Sequence, residues 1–122
     1  MGLDPVLEDI PIRKDSIRNT IVAFYEGILN KCLQYRIYPA CVKPNYAFYA
    51  QYGIEGLHAL CDVITLFRNE GLPVILDVKR GDIGKTATAY AKEAFEFFNA
   101  NAVTLSPYLG FDSIQPFTSN YP

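Results

Sequence analysis

Apolar positions along this chain follow two rhythms, helical spacing and short unbroken runs, which together predict a strand-helix order repeated about four times. Behind Asp15 and Ser16, which look like a helix start, Ile17, Ile21, Phe24, Tyr25, Ile28 and Cys32 recur at helical spacing. Pro39 to Lys43 is a short apolar run that ends at a charge, as a buried strand would, and Pro44 is expected to block its simple continuation. A second helix is predicted from about Ile54, with Leu57, Leu60, Cys61, Ile64 and Phe67 on one face and Gly71 as its C-cap. Pro73 then introduces Val74, Ile75 and Leu76, continuous rather than alternating, the pattern of a strand covered on both faces. Beyond a polar turn at Lys79 to Gly84, Ala87, Tyr90, Ala91, Ala94 and Phe98 mark a third helix. Ala102 to Leu105 is the next strand, and Phe111 to Phe117 a short last helix.

Charged or polar residues stand just past each strand end: Asp4, Lys43, Asp77 and Ser106, separated by 39, 34 and 29 residues. Such spacing suits successive βα units, and the C-terminal ends of parallel strands are where ligands bind in open sheets and barrels alike. The fold class expected is α/β, the N-terminal half of a (β/α)8 TIM barrel with about four βα units, since a whole barrel takes about 250 residues. Residues 1–122 would then be one partial barrel domain with a truncated first strand and no second half. Its sheet edges and apolar helix faces would be left open, so the natural protein is expected to be longer.

The chain has 122 residues, half of them hydrophobic and a fifth charged, which suits one globular unit. A net charge of −2 supplies no broad basic field, so neither nucleic acid nor an anionic membrane is an expected partner. No apolar run reaches the roughly 20 residues of a membrane span and no leader precedes the first unit, so a cytoplasmic location is expected. Cys32, Cys41 and Cys61 are odd in number and widely spaced, and are read as small buried hydrophobes. His58 lies in a helical pattern with no ligand partner near it and is read as structural.

The chemistry concentrates in Leu76 to Thr86, LDVKRGDIGKT, where Asp77, Lys79 and Asp82 form D-x-K-x-x-D-I directly after a buried strand. On extended backbone Asp77 and Lys79 would point to the same side and share one pocket. Flanking carboxylates favour the charged ammonium, making Lys79 a proton donor rather than a Schiff-base nucleophile. The competing view of an isolated D-x-K-x-x-D is a solvated charged turn. Arg80, Gly81 and Asp82 also spell RGD, but nothing in the cysteine pattern suggests an extracellular address.

In context, the motif resembles the signature of orotidine 5′-phosphate decarboxylases. GLDP at Gly2 to Pro5 looks like the end of that family's first strand, and VKPN at Val42 to Asn45 like the end of its second. KRGDIGKTATAYA and VTLSPYLGFDSIQPF are most similar to a bacterial subgroup with longer chains, and the match runs through essentially the whole sequence. The resemblance implies decarboxylation of orotidine 5′-phosphate to uridine 5′-phosphate in pyrimidine biosynthesis, without metal or other cofactor. Lys79 would be the proton donor and Asp77 would lie beside the substrate carboxylate. Lys43 and Asp4 would complete an alternating charge network and contact the ribose. Asp82 would enter the site of a second subunit in a homodimer, accompanied by Ile83 and Thr86.

The family's phosphate and pyrimidine contacts come from later strands, so this chain alone is expected to bind weakly and turn over negligibly. Two other readings stand beside this one. The first is a Mg²⁺-dependent enzyme acting on sugar phosphates, as hexulose-phosphate synthases do; the second is a half-barrel fragment that folds or associates without catalysis. For Lys43 and Asp4 taken singly, a snorkelling strand-end lysine and a turn or cap carboxylate are the alternatives. Ser106, Tyr108 and Asp112 suit a loop and a helix start, and Tyr46, Phe48, Tyr49 and Tyr52 suit packing.

Overall fold

In the computed structural model, which describes residues 1–121, four short strands run parallel. They are β1 (Gly2–Leu3), β2 (Lys43–Pro44), β3 (Ile75–Arg80) and β4 (Ala102–Leu105). Gly2 pairs with Lys43 and Leu3 with Pro44; bridges Val42 to Val74 and Asn45 to Asp77 tie β2 to β3; Ile75 pairs with Ala102. The order is therefore β1-β2-β3-β4, each neighbour reached through helix, which is the wall of half a (β/α)8 barrel. The helices are α1 (Ile17–Tyr35), α2 (Tyr46–Ala50), α3 (Gly53–Asn69), α4 (Gly84–Lys92) and α5 (Phe111–Asn120).

Local chemistry sets the helix ends. Ser16 caps α1 by accepting the Asn19 N–H at 3.1 Å. At the far end of α3, Gly71 takes φ +75°, its N–H reaches the Arg68 carbonyl and the Leu72 N–H reaches Phe67, the paired bonds of a Schellman stop. Leu3 and Leu76 from the strands, with Val42 and Val74 just ahead of β2 and β3, meet Ile21, Tyr49, Leu60, Val63 and Phe67 from the helices, all buried. Arg18 of α1 pairs with Asp62 of α3 at 2.6 Å outside that core, and the Ile17 N–H donates to Glu55.

Several expectations are corrected. Pro44 does not block β2 but lies in it. The Val42 N–H bonds the Pro73 carbonyl while that of Lys43 bonds Met1, so donors alternate between neighbours and proline's missing N–H costs one rung on the β3 side only. The extended φ of proline suits the strand otherwise. Lys79 and Arg80 belong to β3, not to a polar turn, because β4 continues to pair as far as Arg80 with Leu105. Tyr46–Ala50 forms a separate short helix, capped by Asn45, whose five residues are too few for helical periodicity to reveal. The helix after β3 runs on from α4 into a π turn at Glu93–Phe97, and α5 continues past Pro116 to Asn120. The three cysteines are free but only partly buried. His58 is exposed on α3.

At Gly56 α3 lies so close to α2 that an added Cβ would be 1.9 Å from the Tyr49 carbonyl oxygen. Backbone cannot yield as a flexible side chain can, so α2 would be levered off α3. Gly56→Ala is expected to destabilise the protein by about 3 kcal/mol, an overpacking cost near the top of the usual range. Denaturant unfolding checks this, and wild-type stability would refute it.

Candidate active site

The C-terminal ends of β1, β2 and β3 bring Asp4, Lys43, Asp77 and Lys79 to one rim, in alternating sign. Asp77 is the centre, 6% exposed overall. Its Oδ2 accepts from Lys43 Nζ at 2.6 Å and its Oδ1 from Lys79 Nζ at 2.6 Å. The Thr104 hydroxyl donates to the same Oδ1 at 2.8 Å. Burial pushes the Asp77 carboxyl up, but these hydrogen bonds and the Lys43 charge outweigh it and hold the group well below the ordinary carboxylate range. Lys43 is raised, first by its hydrogen bond to Asp77 and then, against burial, by the charges of Asp77 and Asp4. The side chain of Lys79 is 66% exposed, so its ammonium is held at one point and otherwise faces the rim.

Lys79 reaches Asp77 by a route that alternation does not supply. Between the Leu76–Val103 and Arg80–Leu105 pairs, β3 advances four residues while β4 advances two, so β3 bulges. Lys79 sits in this bulge at φ +50°, the left-handed region that a side chain with a Cβ enters at a cost of about 1–2 kcal/mol. The expectation of an extended Asp77-Val78-Lys79 segment is thus corrected, though the two side chains do share a pocket.

Arg80 anchors the far side of the bulge. Its guanidinium makes a forked pair with Glu93, closest at 2.7 Å, and lies 4.9 Å from the Tyr46 ring centroid and 4.3 Å from that of Tyr90. Glu93 opens the π turn, a frequent departure from regular helix at functional sites. Burial lowers Arg80, and the bond and charge of Glu93 more than offset it.

The other residues singled out from the sequence lie around this cluster rather than in it. Asp4 is exposed; its charge acts on Lys43 and, after burial, on the phenol of Tyr25, which is raised. Asp82 accepts the N–H of Ile83 at 2.8 Å and makes no hydrogen bond or ion pair with Asp77 or Lys79. Ile83 is the N-cap of α4 and largely exposed, and Thr86 is exposed on the first turn of that helix. The Ser106 N–H donates to the Arg80 carbonyl at 2.7 Å, closing the strand end.

Thr104, Arg80 and Glu93 were not singled out as site residues from the sequence. Thr104 sits within the run AVTL, and the one available signal was a lone hydroxyl between apolar neighbours on the strand next to the charged motif.

Since Asp77 lies below its unfolded value of about 3.9, its ion pairs stabilise the fold fully above that pH and lose this effect only as pH falls through the folded value. Carbon-13 NMR of the Asp77 carboxyl should therefore show no titration from pH 7 down to about 4. A midpoint near 4 would contradict the pairing.

Comparison with known proteins adds three findings. The family model described as "Orotidine 5'-phosphate decarboxylase / HUMPS family" matches residues 25–121. An orotidine 5′-phosphate decarboxylase of Roseiflexus sp. (strain RS-1) is 42% identical over 117 residues, 96% of this chain and 41% of that protein. The solved structure of Leishmania donovani OMP decarboxylase superposes with a TM-score of 0.79 at 42% identity, over 97% of this chain and 42% of that one. The chain spans about two-fifths of the length of the curated relatives it matches.

Proposed function

This chain belongs to the orotidine 5′-phosphate decarboxylase / HUMPS family, and on that premise we propose that the protein carrying it is a carboxy-lyase converting orotidine 5′-phosphate to uridine 5′-phosphate and CO2. The observation that carries the reading is the Lys43-Asp77-Lys79 cluster, with both ammonium groups 2.6 Å from one carboxylate. As the bond from C6 to the substrate carboxylate breaks, its electron pair stays on C6 and CO2 leaves. Lys79 then delivers a proton to C6 and is reprotonated from water. A fixed cation aimed at developing negative charge is the kind of preorganised electrostatics that contributes most to catalysis. Asp77, kept ionised by its partners, stands beside the departing carboxylate and adds ground-state repulsion.

Lys43 and Asp4 hold the ribose hydroxyls in this reading. Asp82, Ile83 and Thr86 form the edge offered to a second subunit, so that a homodimer shares its active sites. Support comes from the exposure of Ile83 together with Tyr108, Leu109 and Phe111 near the β3 and β4 rim. Residues 1–122 are one part of a larger barrel domain, and the phosphate is gripped by parts of the protein outside them. A cytoplasmic location goes with the biosynthetic reaction proposed. No cofactor enters the reaction.

The test is the fall in orotidine 5′-phosphate absorbance with the complete gene product. Lys79→Ala is expected to reduce kcat by at least about 10⁴-fold, on the scale of losing a central proton donor and charge stabiliser together. Unchanged turnover in that variant would remove the lysine from the mechanism. Abolition of activity by EDTA would turn the assignment toward metal-dependent sugar-phosphate chemistry.

A further inference from the structure

The β3 bulge leaves two backbone donors without strand partners. At the N–H groups of Val78 and Lys79, the β4 backbone has been outrun by two residues. Both N–H groups instead donate to one side-chain oxygen, Thr104 Oγ1, at 3.1 and 3.0 Å. The same hydroxyl donates its proton to Asp77 Oδ1, the oxygen that also receives Lys79 Nζ. A hydroxyl has one donor and two lone pairs, so Thr104 is fully used by these three contacts.

From this geometry we propose that Thr104 is a positioning residue, whose hydroxyl replaces the missing rungs of the sheet and so sets the backbone of Lys79 and the rotation of the Asp77 carboxylate together. Left-handed backbone at Lys79 persists only if its surroundings over-determine it. Thr104 supplies that constraint at the amide, while Arg80 with Glu93, Tyr46 and Tyr90 supplies it one residue later. Without the hydroxyl, two N–H groups and one lone pair of a buried carboxylate lose their partner at once. Relaxation of the bulge would then carry the ammonium away from the point where it meets the rim. Serine keeps all three bonds, whereas valine keeps the shape and none of them.

The kinetic half of the test rests on the proposed decarboxylase reading; the exchange half does not. In the complete protein, Thr104→Val is expected to lower kcat about 10²-fold with KM little changed, and Thr104→Ser to stay within about threefold of wild type. Amide hydrogen exchange at Val78 and Lys79 should be at least about tenfold faster in Thr104→Val than in Thr104→Ser, with Val63 and Ile64 of α3 unaffected. Should the valine variant fail to fold, Thr104→Ala carries the same readouts with room for a water. Equal exchange in the two variants overturns the proposal, as does fast exchange with wild-type kcat or a serine variant as impaired as valine. A wild-type protein inactive on orotidine 5′-phosphate would defeat the functional reading, while the exchange comparison would still decide the role of Thr104.

Discussion

A carboxylate almost without solvent contact, Asp77, governs the arrangement of the rim. An ionised carboxyl group removed from water carries a desolvation cost of several kcal/mol unless its oxygens are well supplied with donors. Those donors come from three strands: Lys43 from β2, Lys79 from β3 itself and Thr104 from β4. The same contacts that keep Asp77 charged therefore fix how the ends of neighbouring strands stand to one another. Positioning of the strand ends and charge in the pocket are one constraint.

Two features of the backbone follow from satisfying it. Regular extended strand would keep every rung between β3 and β4, but it would not place Lys79 where it stands. The bulge gives up those rungs and accepts left-handed backbone at Lys79. Its exposed donors are taken over by a side chain, and the strand is recaptured at Arg80, whose guanidinium is held by Glu93 and two aromatic rings. The π turn at Glu93–Phe97 belongs to this recapture, because it begins at the residue that grips Arg80. Strain at Lys79 is thus balanced by contacts on either side of it.

The barrel wall explains why such a site can be assembled from half a fold. Each βα unit delivers its strand end to the same rim, and consecutive units lie side by side, so the charged groups Lys43, Asp77 and Lys79 come together from neighbouring units. Family relatives are more than twice as long as this chain. The division proposed here, with proton chemistry in these units and phosphate recognition elsewhere in the protein, is consistent with that length.

Much of this was legible along the chain. Helical spacing from Ile17 to Cys32, the unbroken Val74–Leu76 run and the charges past each strand end depend on local periodicity and on the parallel topology it implies. They predicted the α/β order, β4 at Ala102–Leu105 and a pocket shared by Asp77 and Lys79, while the place of Lys43 in that charge network was implied by the family resemblance. Pro44 within β2, the short α2 and the continuation of β3 through Lys79 and Arg80 were not legible, because strand limits depend on which neighbour supplies the rungs. Thr104 shows the reason most clearly. As a residue type it is an ordinary strand former, and its hydroxyl acquires a role only where the bulge in β3 brings two unpaired N–H groups and a buried carboxylate within reach. By itself the sequence determined which charges reach the rim; tertiary structure decided which backbone holds them there, since the partners lie 25 to 34 residues apart in the chain.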